Sequence, residues 1–149
     1  MKKPNEKGVS AVEFALILPV LVLILFGIIE FGLILYNQAV ITNASREGAR
    51  EGILFNSGGR PDVTAIKTVV ADYTKDYLVT FKVGTAEVAN VDVSNNGIAD
   101  TACAALGDDL MVAVNYQYTF LVLSPIMGLF GDSWGPTFSL AASTTMRCE

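Results

Sequence analysis

Two carboxylates interrupt an apolar stretch near the start of the chain. Glu13 and Glu30 are 17 residues apart, which on a helix is about 25 Å along the axis and about 100° around it. An ionisable group inside a membrane span is costly and usually has a partner. Each carboxylate is therefore a candidate functional residue, and one partner cannot serve both.

The residues needed for common catalytic chemistry are missing from this sequence. The chain has no histidine, which removes the usual general base and the commonest metal ligand. Asp108 and Asp109 are adjacent turn residues before a strand and do not form a positioned acid/base pair. The Gly58-Gly59 pair lacks the lysine and the strand-to-helix context of a phosphate-binding loop. We expect no catalytic activity, no metal and no cofactor.

The two cysteines, Cys103 and Cys148, show no metal-binding spacing. Cys103 precedes one predicted strand and Cys148 ends another, so antiparallel pairing of those strands would bring the thiols together. A disulfide is expected if this part of the chain lies outside the cytoplasm. Two buried thiols are the alternative.

The element that carries both carboxylates is the apolar stretch from Val9 to Tyr36, VSAVEFALILPVLVLILFGIIEFGLILY. As a helix it would be about 42 Å long, more than the about 20 residues that cross a bilayer. Lys2, Lys3 and Lys7 precede it and favour a cytoplasmic N-terminus. We therefore expect a cytoplasmic segment over residues 1–8, a transmembrane helix over 9–36 and an extracytoplasmic domain over 37–149.

The domain is predicted to be α+β. Mixed polar and apolar residues at helical spacing indicate that the first helix continues to about Leu54, and a second helix is expected from Pro61 to Asp76 because proline and acids favour a helix start. Strands are predicted where short β-rich or alternating runs occur: Phe81–Val83, Glu87–Ser94, Leu110–Phe120 and Thr137–Met146. The last two should pair antiparallel, with the helices packed on one face of the sheet.

The loop between those two strands, LVLSPIMGLFGDSWGP, is unusually apolar but too short to span a membrane. It could cover the edge or core of the sheet. Alternatively, Phe130 and Trp134 could contact the membrane or a neighbouring subunit. The sequence leaves both interpretations open.

One local pattern is similar to a known processing signal. Gly8, followed by VSAVEF and the apolar helix, resembles a type IV prepilin processing site, in which a peptidase cuts after glycine and glutamate is the fifth residue of the mature chain. More specifically, GVSAVEFALILPVLVLILFGIIEFG, then NASREGAREG and the final LAASTTMRCE, resemble the TadE-like minor pilins (pseudopilins) of the Tad/Flp pilus system. Phe14 stands where the major Flp pilins commonly have tyrosine, and phenylalanine suits the TadE-like branch.

This resemblance implies specific roles for the first residues. Prepilin peptidase would cut between Gly8 and Val9, and Glu13, one helical turn further on, could neutralise the new α-amine on its own or a neighbouring subunit. Glu13, Phe14 and Glu30 would then be assembly residues. The plainer alternatives are that Glu13 faces the helix N-terminus at the lipid interface, and that Glu30 is solvated rather than paired with a neighbouring helix.

The implied function is a minor pilin that takes part in assembling a Tad/Flp-type surface fibre used in adhesion or secretion. Its partners would be prepilin peptidase, other pilin and pseudopilin subunits, the assembly platform of the bacterial inner membrane, and membrane lipid. The net charge of −5 argues against nucleic acid as a partner. An uncleaved single-pass sensor or ligand-binding protein with a periplasmic domain is the main alternative, and a simple anchor for a partner complex is a third.

Overall fold

The computed structural model describes residues 6–55, 59–80, 89–121 and 137–149. Two helices and four strands follow in the order α1 (Glu6–Ile53), α2 (Val63–Tyr77), β1 (Asn90–Asn95), β2 (Ile98–Ala99), β3 (Asp109–Thr119) and β4 (Thr137–Arg147). This arrangement confirms the predicted α+β class.

Helix α1 is 48 residues long and contains the whole predicted span together with its continuation. It ends at Ile53, one residue before the predicted end at Leu54. Pro19 lies inside it without ending it, because an apolar helix can accommodate the missing N–H of a proline.

Helix α2 begins two residues later than predicted. Asp62 has extended backbone angles and its side chain accepts a hydrogen bond from the Ala65 amide at 2.8 Å, so it is the N-cap and not a residue of the first turn. Pro61 therefore precedes the helix. The face that includes Ile66 and Val70 is buried, as the predicted apolar spacing requires.

The four strands form an antiparallel sheet in the order β2-β1-β3-β4. Strands β3 and β4 pair along their full length, from Asp109 opposite Arg147 to Thr119 opposite Thr137, which confirms the predicted pairing. Asn96 and Gly97 both have positive φ in the two-residue turn between β1 and β2, the geometry that an Asn-Gly hairpin turn favours.

The predictions for the region before β3 have mixed outcomes. The strand predicted over Glu87–Ser94 corresponds to β1. The described part of this strand begins at Asn90 and ends at Asn95, one residue after the predicted end. The predicted strand Phe81–Val83 lies outside the described residues, and so do Phe130 and Trp134 of the apolar loop.

The core lies between the sheet and the two helices. Alternate residues of β3 are buried and face the helices: Leu110, Val112, Val114, Tyr116 and Tyr118. The second half of α1 packs over β3 and β4, and α2 packs beside it, toward β1. The first half of α1 packs against none of these elements and remains exposed along its length.

Candidate functional site: the exposed half of α1 and its junction with the domain

The first half of α1 has an apolar surface on all sides. From Val9 to Ile29 its large apolar side chains are exposed, and the most apolar window of the helix has a mean hydropathy of 2.9 with none of it buried. These 21 residues extend about 31 Å as a helix, which is long enough to cross a hydrocarbon core about 30 Å thick. This half of α1 can cross a membrane or pack against other apolar helices.

The predicted processing and assembly residues lie at the start of this half. Gly8, Val9, Glu13 and Phe14 are all exposed in the first turns of the helix, and a methyl group on Gly8 would meet nothing within 4 Å. These four residues lie within about two turns of one helix, as their closeness in the sequence requires. Their roles in cleavage and assembly stay predictions.

Glu30 has a different environment. It is only 1% exposed, and its Oε1 accepts hydrogen bonds from the Tyr118 hydroxyl at 2.7 Å and from the Leu121 amide at 2.8 Å. The expectation of simple solvation is therefore wrong for Glu30. Pairing with a neighbouring helix stays a prediction, and such a helix would have to compete with these contacts inside the chain.

The Tyr118 hydroxyl is suited to its role as a donor to Glu30. Burial raises the pKa of Tyr118 well above its usual range, and the hydrogen bond to Glu30 raises it further. The phenol therefore stays protonated at physiological pH. Phe120 contacts the Tyr118 ring edge-on, with the two ring centroids 5.9 Å apart.

Three more polar residues, which follow Glu30 along α1, form hydrogen bonds with the domain. The Asn37 side chain donates to the Val79 carbonyl at 2.9 Å and accepts from the Val79 amide at 3.0 Å. Gln38 donates to the Ala141 carbonyl at 3.0 Å. Further along the helix, the Ser45 and Thr144 hydroxyls lie 2.8 Å apart. We call Glu30, Asn37, Gln38 and Ser45 the polar seam, because together they join the helix to α2's end and to the sheet.

Two glycines allow the same helix to approach the domain closely. A methyl group on Gly48 would overlap Val70, and one on Gly52 would overlap Leu110 and lie 2.8 Å from Ile66 Cδ1. Sequence reasoning missed both as packing residues. The available signal was Ala44, Gly48 and Gly52 at a spacing of four, which places small residues on one face of a helix.

The predicted disulfide is present. Cys103 and Cys148 are bonded, with their Cα atoms 5.9 Å apart. The Cys148 carbonyl accepts from the Gly107 amide at 2.9 Å, and the Cys148 amide donates to the Asp108 carbonyl at 2.8 Å. The bridge therefore ties the end of the chain to the loop before β3, at the end of the sheet farthest from Glu30.

Asp108 organises that distal loop. Its carboxylate accepts hydrogen bonds from the side-chain amides of Asn95 and Asn96 at 3.1 and 2.9 Å and from the Ala105 amide at 2.9 Å. These bonds, that of Asn95 first, lower the pKa of Asp108 below its usual value. These contacts agree with the prediction that Asp108 is a turn residue. Asp109, for which the same was predicted, is instead the first residue of β3.

The fold and this site define a class of protein: a small disulfide-bonded α+β domain carried on one N-terminal helix that is long and apolar enough to span a membrane. Residues 8–50 match the family model of TadE-like proteins, so the family that the sequence resembles is confirmed over this segment. The match links the chain to Tad pilus systems. No curated protein and no solved structure matches the chain.

The matched segment covers both halves of α1. It includes the exposed apolar half and all four residues of the polar seam, and it ends at residue 50, beyond Gly48. In the NASREGAREG stretch, the small residues face the domain and the charged ones face solvent: Ala44, Ser45, Gly48 and Ala49 are buried, and Arg46, Glu47 and Arg50 are exposed. The structure thus accounts for a motif that resemblance alone did not explain.

Proposed function

We propose that this protein is a minor pilin of a Tad/Flp-type pilus. It is inserted with its N-terminus in the cytoplasm, cut after Gly8, held in the bacterial inner membrane by α1 and assembled with other pilin subunits through that helix. The observation that carries the proposal is the contrast within α1: an apolar, exposed first half that matches the TadE-like family model, continuous with a second half packed into a folded domain.

Two observations support the proposed orientation. The three lysines before the helix favour the cytoplasmic side. The Cys103–Cys148 bridge favours an oxidising compartment for the domain. A cytoplasmic N-terminus and an extracytoplasmic domain satisfy both conditions with a single crossing.

The proposed role of Glu13 follows from its position. After cleavage the α-amine of Val9 is one helical turn from the Glu13 carboxylate, and both groups lie on an apolar, exposed segment. In lipid this pair of charges is costly unless each is neutralised. Pairing between the amine of an incoming subunit and the carboxylate of its neighbour removes that cost and sets their register.

Intact mass after membrane extraction tests the cleavage step. In cells with an active prepilin peptidase we expect a chain that begins at Val9. Gly8→Val should leave the full-length chain, whereas Gly27→Ala, a change at a site with open space around it, should be processed normally. A full-length mass for the wild-type chain would favour the uncleaved sensor and count against the pilin.

Replacement of Glu13 tests the assembly step separately. Glu13→Gln should still be inserted, cut and folded, but surface fibres sheared from the cells should be lost. Glu47→Gln changes an exposed carboxylate in the packed half of the same helix and should leave piliation intact. Normal fibres with Glu13→Gln would show that α1 is only a tether.

A further inference from the structure

The sheet has a definite direction relative to the apolar half of α1. Glu30 bonds to Tyr118 near the end of β3, whereas Gly52, at the other end of the packed half, lies against Leu110 near its start. Strand β3 therefore runs back along α1 toward the membrane-spanning half. Its end and the paired start of β4 form the membrane-proximal end of the sheet, which consists of residues 118–121 and 137–138.

Two exposed tyrosines lie slightly farther from the apolar half of α1 than this end of the sheet does. Tyr36 lies on α1, and Tyr77 ends α2 close to Val79, which is hydrogen-bonded to Asn37. Both rings are exposed, and tyrosine is enriched where the bilayer meets water. The helix from Val9 to Tyr36 is about 42 Å long, which agrees with about 40–45 Å for a bilayer with its headgroups.

The membrane-proximal end lies below the level of these two tyrosines. Glu30 precedes Tyr36 by six residues, or about 9 Å along the helix axis, so its hydrogen-bond partners lie within the membrane boundary. On α1, Phe31 and Leu35 are strongly exposed at this depth. An apolar environment that accepts these two side chains would also reach the neighbouring end of the sheet.

The surface of the membrane-proximal end fits an apolar environment. Leu121 is 43% exposed and Phe138 is 49% exposed, and the described residues of this end carry no charged side chain. Backbone groups in lipid must be hydrogen-bonded within the protein. Glu30 accepts a hydrogen bond from the Leu121 backbone amide, and it also accepts one from the side-chain hydroxyl of Tyr118.

We propose that the membrane-proximal end of the sheet is a second membrane-contacting surface. Leu121 and Phe138 contact lipid acyl chains in the leaflet on the domain side, and Glu30 satisfies the polar groups that enter with them. The domain is thereby seated in the membrane beside its own helix. This proposal needs the helix to span the membrane, but it does not depend on cleavage or on assembly into a pilus.

Nitroxide labels on the full-length protein in phosphatidylcholine vesicles test the proposal. The native cysteines are bonded to each other, so Phe138→Cys introduces a single reactive thiol. Leu106→Cys is the matched control, because Leu106 is also apolar and exposed but lies beyond the far end of β3, about 35 Å away along the strand.

We expect collisions with oxygen, relative to a water-soluble nickel chelate, to be at least several-fold more frequent at position 138 than at position 106. Equal, water-like accessibility at both positions would overturn the proposal. So would a label at 138 that is shielded from both reagents and shows spin–spin broadening between chains, because the surface would then contact a second copy. Leu121→Cys repeats the test independently, and an intact disulfide and protease resistance confirm that each variant is folded.

Discussion

The two halves of α1 have the same secondary structure and opposite surroundings. The first half, Val9–Ile29, is exposed and is apolar apart from Ser10 and Glu13, whereas the second half, Glu30–Ile53, contributes small and polar residues to a buried junction. A long apolar run is stable as a helix in lipid without any specific neighbour, since its backbone N–H and C=O groups hydrogen-bond to one another within the helix. A helix that must dock on a sheet needs small residues for close approach and polar groups at defined positions.

This difference shows that the two halves of one helix depend on different properties of their residues. Apolar residues of the first half can be exchanged for one another while the segment still partitions into a membrane. The second half makes residue-specific contacts, through Asn37, Ser45 and Gly48 among others. We therefore expect matched substitutions to be tolerated in the first half and to destabilise the domain when they fall in the second half or in its partners.

The largest expected effect comes from the disulfide, which belongs to the domain alone. Replacing both Cys103 and Cys148 with alanine opens a loop with a sequence separation of 45 and should lower the free energy of unfolding by about 4 kcal/mol. Denaturant unfolding followed by near-UV circular dichroism measures this. Membrane retention after alkaline extraction should not change, and its loss would contradict the independence of the two halves.

Tyr118→Phe removes one donor from the buried Glu30 carboxylate and should cost the domain about 1.5–3 kcal/mol. Tyr36→Phe is the control, because Tyr36 is an exposed tyrosine six residues after Glu30 on α1, and loss of its hydroxyl should have little effect. The same denaturant experiment compares the two variants. Equal stability of both would mean that the Tyr118–Glu30 bond does not hold the domain to α1.

Gly48→Ala forces a methyl group against Val70 and should destabilise the domain by about 1–3 kcal/mol through overpacking. Gly27→Ala places the same methyl group in open space and should leave the domain's unfolding midpoint where it is. If the two variants behaved alike, the close approach between α1 and α2 would not be a source of specificity.

The smallest expected effect is a pH dependence at the distal loop. Because hydrogen bonds lower the pKa of Asp108 below its usual 3.8, its stabilising contribution is fully present above that value and is lost as the pH falls through the lower folded-state pKa. Asp108→Asn should be less stable than wild type at pH 7, and the gap should narrow in acid. A gap of constant size from pH 7 to pH 2 would contradict this.

Local and periodic features of the chain could be predicted without the structure. The apolar run, the end of α1 near Leu54, and the alternation in Leu110–Phe120 each repeat a pattern that one element alone explains. The β3–β4 pairing and the disulfide also followed, because one strong strand signal lay after Cys103 and the other before Cys148. The contacts of Glu30 and Gly48 did not follow, because no local pattern in the sequence fixes how α1 docks on the sheet and on α2.

The sequence by itself determined that one helix is long and apolar enough to cross a membrane, that an α+β domain follows it, and that Glu13 lies one turn after Val9. These properties depend on composition and spacing within a single segment. Only the tertiary structure decided that Glu30 belongs to the domain and Glu13 does not. A carboxylate's role depends on which donors reach it, and Tyr118 and Leu121, which are 88 and 91 residues away along the chain, are brought to Glu30 by the folding of the sheet against α1.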